Sequence, residues 1–210
     1  MNRAQQEPVI VGNVYDKYGT RNPFARLLMR GFLDTVGSLF ARIAPGSALE
    51  VGCGEGLLAQ HLATTGPPPL RFVLCDIDIR RISPHVDRRF ERQEASAYEL
   101  PFADATFDLV ICCEVLEHLR DPSRAIAEAA RVARRAVLVS TPREPLWRLL
   151  NVARGSYLSA WGNTPGHVQH FSGRGLVRLA SGFLDVVERR SPPPWTVLLG
   201  RPRRASNCAS

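Results

Sequence analysis

Ala48-Leu49-Glu50-Val51-Gly52-Cys53-Gly54-Glu55-Gly56-Leu57-Leu58 joins a short apolar run to a helical pattern through three glycines at alternate positions. Leu57, Leu58, His61 and Leu62 recur at i, i+1, i+4 and i+5, one face of a helix. The stretch therefore predicts a strand, a tight turn and a helix, a unit that presents backbone N–H groups to a ligand. Glycine lets the backbone turn sharply and approach that ligand closely. The spacing is diagnostic. A dinucleotide fingerprint, G-x-G-x-x-G, needs its third glycine at position 57, where this chain has Leu57. Here the third glycine is Gly56, and Glu50 precedes the first by two positions.

Working outward, Asn22-Pro23 reads as a helix start, and Leu28, Phe32, Val36, Leu39 and Ile43 keep a helical period until Pro45-Gly46. After the glycine turn and its helix, Gly66-Pro67-Pro68-Pro69 is a loop. Arg71 to Cys75 reads as a buried strand ending at Asp76-Ile77-Asp78. Asp76 follows Gly52 by 24 positions, where an acid at the tip of a second strand can accept hydrogen bonds from a ribose. Phe107 to Cys113 is the next strand. Asp121-Pro122 starts a helix with Ile126, Ala129, Ala130 and Ala133 on one face and Arg124–Glu128 as an i, i+4 pair. Ala136 to Ser140 is again a strand. Strands alternating with amphipathic helices predict parallel βαβ units and a doubly wound α/β sheet with helices on both faces.

Beyond it, Trp147, Leu150 and Val152 suit a short helix ended by Gly155, followed by the irregular stretch Trp161 to Phe171. Ser172 caps a helix carrying Leu176, Leu179 and Ala180 and closed by Gly182. Phe183–Glu188 and Trp195–Gly200 flank Ser191-Pro192-Pro193-Pro194 as an antiparallel strand pair. No repeat or composition shift marks a second domain. Residues 1–210 are expected to form one domain, with 1–12 a loose arm, 201–210 a mobile tail and 143–171 an acceptor-pocket insertion.

The 210 residues, 45% apolar and 22% charged, suit a globular fold with a full core. No apolar run reaches the length of a membrane span, and the N-terminus lacks the apolar region of a signal peptide. Five cysteines without C-x-x-C spacing argue against a zinc site or disulfide framework and for a cytoplasmic, reducing setting. The net charge of +7 is almost all arginine, Lys17 being the only lysine. No aromatic-interleaved basic stripe accompanies it, so nucleic acid is not the expected partner.

E-x-G-x-G-x-G at 50–56, Asp76, A-x-x-L-P-F at 97–102, D-x-x-F-D-L-V at 104–110, E-V-L-E-H-L at 114–119, Asp121-Pro122 and Ser140-Thr141-Pro142 come in one order. In that order the chain resembles the small-molecule class I S-adenosylmethionine-dependent methyltransferases, from about Tyr15 to Pro142 and more loosely beyond. The resemblance implies a Rossmann-like seven-stranded sheet finished by the C-terminal antiparallel pair, and S-adenosyl-L-methionine as cofactor. It implies that Gly52 and Gly54 approach the methionine part and that Glu50 holds the turn or reaches the amino group through water. Asp76 would take the ribose hydroxyls and Ile77 one face of the adenine. Ser96 and Ala97 would lie at the adenine edge, and Cys113, just past the fourth strand, near the amino acid end. Two departures stand out. Ser96 stands where the family usually has an aspartate, so either Ser96 holds the adenine amino group more weakly or the Ala97 N–H carries more of the recognition, and the usual Pro-Gly-Gly loop before the fifth strand gives way to Arg134-Arg135.

Methyl transfer needs a nucleophile held in line with methyl and sulfur, and a hydroxyl or ammonium acceptor must also lose a proton. His118, His167 and His170 are the candidate bases. His167 and His170 are three apart, but no third ligand lies near them in sequence, so no metal is expected. Glu114 and Glu117 are further acids beside this site; His61 and His85 read as surface or packing residues. Tyr15 and Tyr18 are placed to fold over a ligand at the glycine turn. The expectation is methyl transfer to oxygen or nitrogen of a small organic acceptor. Its rivals are a nucleic-acid methyltransferase, motivated by the charge, and a cofactor-binding protein without transferase activity. A nicotinamide dehydrogenase is disfavoured by Leu57. Oligomeric state is not legible.

Overall fold

A computed structural model describes residues 22–153, 161, 163, 164 and 166–204. The expected roles of the 1–12 arm, of Tyr15 and Tyr18, and of Gly155 lie outside them. Helix α1, Pro23–Ile43, is capped by Asn22, whose side chain accepts from the N–H groups of Phe24 at 2.9 Å and Ala25 at 3.2 Å. Proline at the first turn loses no hydrogen bond, because that N–H has no helical partner. The helix ends where Ala44 takes φ 43° and returns its N–H to the Phe40 carbonyl.

The chain continues through β1 (Ser47–Val51), α2 (Leu57–Leu62), β2 (Arg71–Asp76), β3 (Glu91–Glu94), β4 (Phe107–Cys113) and α3 (Pro122–Val132). Then come β5 (Ala133–Pro142), α4 (Leu146–Ala153), α5 (Gly173–Ala180), β6 (Leu184–Arg190) and β7 (Trp195–Pro202). One seven-stranded sheet has the order β3-β2-β1-β4-β5-β7-β6. The strands β1 to β5 pair in parallel, and β7 runs antiparallel to both β5 and β6. The doubly wound α/β expectation holds, including the antiparallel pair.

Period-2 alternation splits the core. Ala48, Phe72, Leu74, Leu109, Ile111 and Leu138 face α1 and α2. Leu49, Val73, Val110, Val137 and Val139 point the other way, against Ile126 and Ala129 of α3 and Leu176 of α5. All seven residues of β4 are buried, as a strand covered on both faces demands. The chain leaves β1 toward β2 on one side and resumes at β4 on the other. Such a reversal opens a crevice at the carboxyl ends of β1 and β4, where ligands bind in sheets of this kind.

Several sequence expectations are corrected. β3 was not legible: Glu91-Arg92-Gln93-Glu94 is polar and largely exposed, and it is a strand because β2 offers it a free edge in register. β5 begins three residues early, so Ala133 belongs to a strand rather than to the apolar face of α3. β7 runs on to Pro202, into the segment expected to be a loose tail. Glu128 pairs with Arg131 at 2.7 Å instead of with Arg124, which donates to the Tyr98 carbonyl. No helix among the described residues is long and apolar enough to cross a membrane.

Candidate active site

The three glycines of the turn all have positive φ, 69°, 53° and 75°, but they differ in what surrounds them. A Cβ on Gly52 would stand 2.4 Å from a methyl of Val115, and one on Gly56 would press against Leu74 and Val86. A Cβ on Gly54 would meet nothing within 4 Å. Gly52 and Gly56 are thus packing glycines, while Gly54 borders the open side of the turn, where a ligand can come close to the backbone.

Two carboxylates fix this turn. Glu50, only 4% exposed, accepts the Ala59 N–H at 3.1 Å and so ties β1 to α2. Burial pushes its pKa from 4.5 up to about 8; the Ala59 N–H opposes that rise and the charge on Asp76 adds to it. Asp76, at the tip of β2, accepts from Gly54 N–H at 2.8 Å and from Asp78 N–H at 3.1 Å. A carboxylate has about four lone-pair sites, so after these two bonds it retains the capacity to bind a diol.

Beside it Ile77 is 50% exposed, an apolar side chain left uncovered at the end of a buried strand, as a stacking surface would be. Ser96 and Ala97 follow β3 and are half-buried. The Ser96 hydroxyl accepts the Tyr98 N–H at 3.2 Å. It therefore spends one lone pair on its own turn. This loop is held from α3. Leu100 N–H donates to Glu128 at 2.9 Å, and the Arg131 guanidinium donates to the carbonyls of Leu100 (3.0 Å) and Phe102 (2.8 Å). Sequence reasoning missed Arg131, since nothing in a helix-face pattern says which arginine clasps a loop.

Cys113 is the last residue of β4 rather than just past it, and is buried. Burial pushes its thiol well up. The other thiols, Cys53, Cys75 and Cys112, are also buried, unbridged and shifted upward by burial. All four are therefore neutral at pH 7 and act as small apolar side chains. Glu114 follows with φ 60°. Its carboxylate accepts from Ser140 Oγ at 3.2 Å and Trp195 Nε1 at 2.8 Å, linking the ends of β4, β5 and β7. Trp195, missed from sequence, packs between Phe32 of α1 and Trp147 of α4 at 5.0 and 5.8 Å.

A 3-10 turn, Leu116–His118, continues from Val115, the residue packed on Gly52. His118 Nδ1 lies 2.9 Å from the Gly166 carbonyl, and its ring meets that of His167 edge-on at 5.0 Å. His167, 7% exposed, stacks on Trp147 at 6.2 Å. Glu117 is 1% exposed, and its backbone carbonyl takes the N–H groups of Val168 and Gln169. The structure therefore brings His118 and His167 together, 49 positions apart in sequence. His170 is set apart, its Nδ1 3.6 Å from Glu144. Along the sequence no third ligand stands near His167 and His170. Across the fold, Glu117, His118 and His167 each place a ligand atom within 4.8 Å of the others. Asp108 of the D-x-x-F-D-L-V motif serves the opposite edge of the sheet. Burial alone would raise its pKa, but Arg134 and the N–H groups of Gly46 and Ser47 hold it below the usual carboxylate range.

Residues 49–139 match the family described as "Methyltransferase domain". The protein named "Probable S-adenosylmethionine-dependent methyltransferase Rv3030" of Mycobacterium tuberculosis is 37% identical over 113 residues, 50% of this chain and 40% of that one. A ubiquinone biosynthesis O-methyltransferase of Thiobacillus denitrificans is 32% identical over 101 residues, 45% of this chain and 42% of that one. The match thus spans less than half the length of these relatives. Among solved structures, human N-acetylserotonin methyltransferase in complex with SAM superposes with a TM-score of 0.65 at 18% identity, covering 85% of this chain and 54% of that one. That likeness is one of fold.

Proposed function

We infer that this chain, whose residues 49–139 match the methyltransferase-domain family, is a class I methyltransferase that binds S-adenosylmethionine and transfers its methyl group to an oxygen or nitrogen of a small organic acceptor. The observation that carries this reading is the convergence at one crevice of Gly54 with open space before it, Asp76 with acceptor capacity to spare, and an uncovered Ile77. These residues fit the cofactor's ribose and adenine, and Ala97 N–H fits its edge. Bound there, the cofactor supplies a methyl on a sulfonium, open to in-line displacement.

The protein's part is to orient and to move a proton. Val115 links the glycine turn to the cluster of Glu117, His118 and His167, which in this reading faces the acceptor and promotes its deprotonation. In this reading the stacked rings of His167 and Trp147 would border the acceptor. A small acceptor also suits the surface charge. Arg71, Arg80, Arg89, Arg131, Arg134 and Arg203 are each paired with a carboxylate, which lowers the field a nucleic acid would need. The buried thiols suit a reducing cytoplasm.

Calorimetric titration with S-adenosylmethionine and S-adenosylhomocysteine, beside an Asp76→Ala variant, tests the reading. The expected result is one-to-one binding that the variant weakens at least tenfold, about 1.4 kcal/mol. Absence of binding by the unaltered protein refutes it.

A further inference from the structure

The histidines expected to serve as bases sit in a different company from the one the sequence suggested. Glu117 and His118 are adjacent in the 3-10 turn after β4, and His167 approaches them from the segment after β5, with a ligand atom of each within 4.8 Å of the other two. Two imidazoles and one carboxylate make the donor set that binds borderline dications while leaving coordination positions open. Tetrahedral bonds of about 2.0–2.2 Å would set such donors roughly 3.4 Å apart. The side chains need only draw inward from their present spacing.

The surroundings are those of a supported ligand set. A carbonyl can only accept, so His118 Nδ1 carries the hydrogen in its 2.9 Å bond to Gly166, which leaves the lone pair of the neutral ring on Nε2. A ring fixed through one nitrogen and presenting the other is the usual outer support of a metal-bound histidine. His167 is stacked on Trp147, whose indole N–H donates to Thr164 at 2.8 Å, and Asn151 donates to the same hydroxyl at 3.2 Å. Val168 and Gln169 N–H groups, at 2.9 and 3.0 Å from the Glu117 carbonyl, pin the second segment to the first. Glu117 and His167 are buried, and burial strengthens the attraction between a carboxylate and a cation.

We propose that Glu117, His118 and His167 form a site for a borderline divalent cation such as Zn2+, with an acceptor hydroxyl completing its coordination. Binding of the ion itself is independent of the methyl-transfer reading; its chemical use rests on that reading. A hydroxyl on the ion loses its proton to solvent at a lower pH than a free one. The oxygen lone pair then forms the bond to the methyl carbon, and the carbon–sulfur pair of electrons stays with sulfur. The histidines are ligands in this arrangement and not the base.

Co2+ titration of chelator-treated protein, without cofactor, tests the site through visible absorption and metal analysis after dialysis. One equivalent should bind, with the ligand-field bands expected of nitrogen and oxygen donors, and Zn2+ should displace it. Glu117→Gln and His167→Gln should each weaken binding at least tenfold, whereas His170→Gln should leave it unchanged. Circular dichroism identifies a variant that fails to fold; His118→Gln, on the half-buried ring, then gives the same readout. No stoichiometric Co2+ binding, or binding that survives these substitutions, overturns the proposal. Because no cofactor is used, that failure is separate from failure of the S-adenosylmethionine titration.

Discussion

Replacing Glu50 by glutamine isolates what a buried carboxyl beneath a ligand-binding turn does to stability. Glu50 has a folded pKa of about 8 against an ordinary 4.5, chiefly because burial disfavours the charged form. The folded state therefore holds a proton that the unfolded chain releases between these two values. Its favourable contribution is fully present below pH 4.5 and is lost as pH rises toward 8. The slope is about 1.4 kcal/mol per pH unit, so the loss reaches about 3 kcal/mol at neutral pH. Glutamine keeps the shape and an oxygen for the Ala59 N–H but does not titrate. Urea unfolding of both proteins across about pH 5 to 8 should show the variant gaining on the unaltered chain by that slope. The same variant should bind S-adenosylmethionine more weakly, because the Glu50 carboxyl can give up its proton when the cofactor's ammonium arrives and an amide cannot. A stability difference that stays flat with pH would refute the reasoning, since it would mean Glu50 titrates as it does in the unfolded chain.

The glycines of the turn should separate in their effects. Gly52→Ala forces a methyl to 2.4 Å from Val115 in a left-handed backbone and should cost about 2–4 kcal/mol in urea unfolding. Gly54→Ala meets no atom, should cost only about 1 kcal/mol, and should still lose most S-adenosylhomocysteine affinity because its methyl occupies the ligand's approach. Arg131→Ala releases the carbonyls of Leu100 and Phe102 and should destabilise the protein by about 1–3 kcal/mol, with faster amide exchange over 97–102 and severalfold weaker cofactor binding. Arg131→Lys should not restore it, because an ammonium cannot reach two carbonyls and Glu128 at once.

Local chemistry determined much of this molecule from the sequence alone. The caps Asn22, Asp121 and Ser172 mark helix starts because their side chains satisfy N–H groups within three residues. The alternation of apolar strands with helical faces pointed to the doubly wound sheet, and the glycine spacing marked the tight turn between β1 and α2. What depends on distant segments meeting was not legible. β3 is polar, and only the free edge of β2 makes it a strand. Arg131 clasps the loop before β4 because α3 packs beneath it. Trp195 reaches Glu114 only because β7 inserts beside β5. The same holds for the cluster of Glu117, His118 and His167. Periodicity relates residues a few positions apart, whereas these side chains are joined by two segments that leave neighbouring parallel strands at the same edge of the sheet. Sequence determined which residues stand at the ends of the strands; the closing of the sheet decided which of them touch.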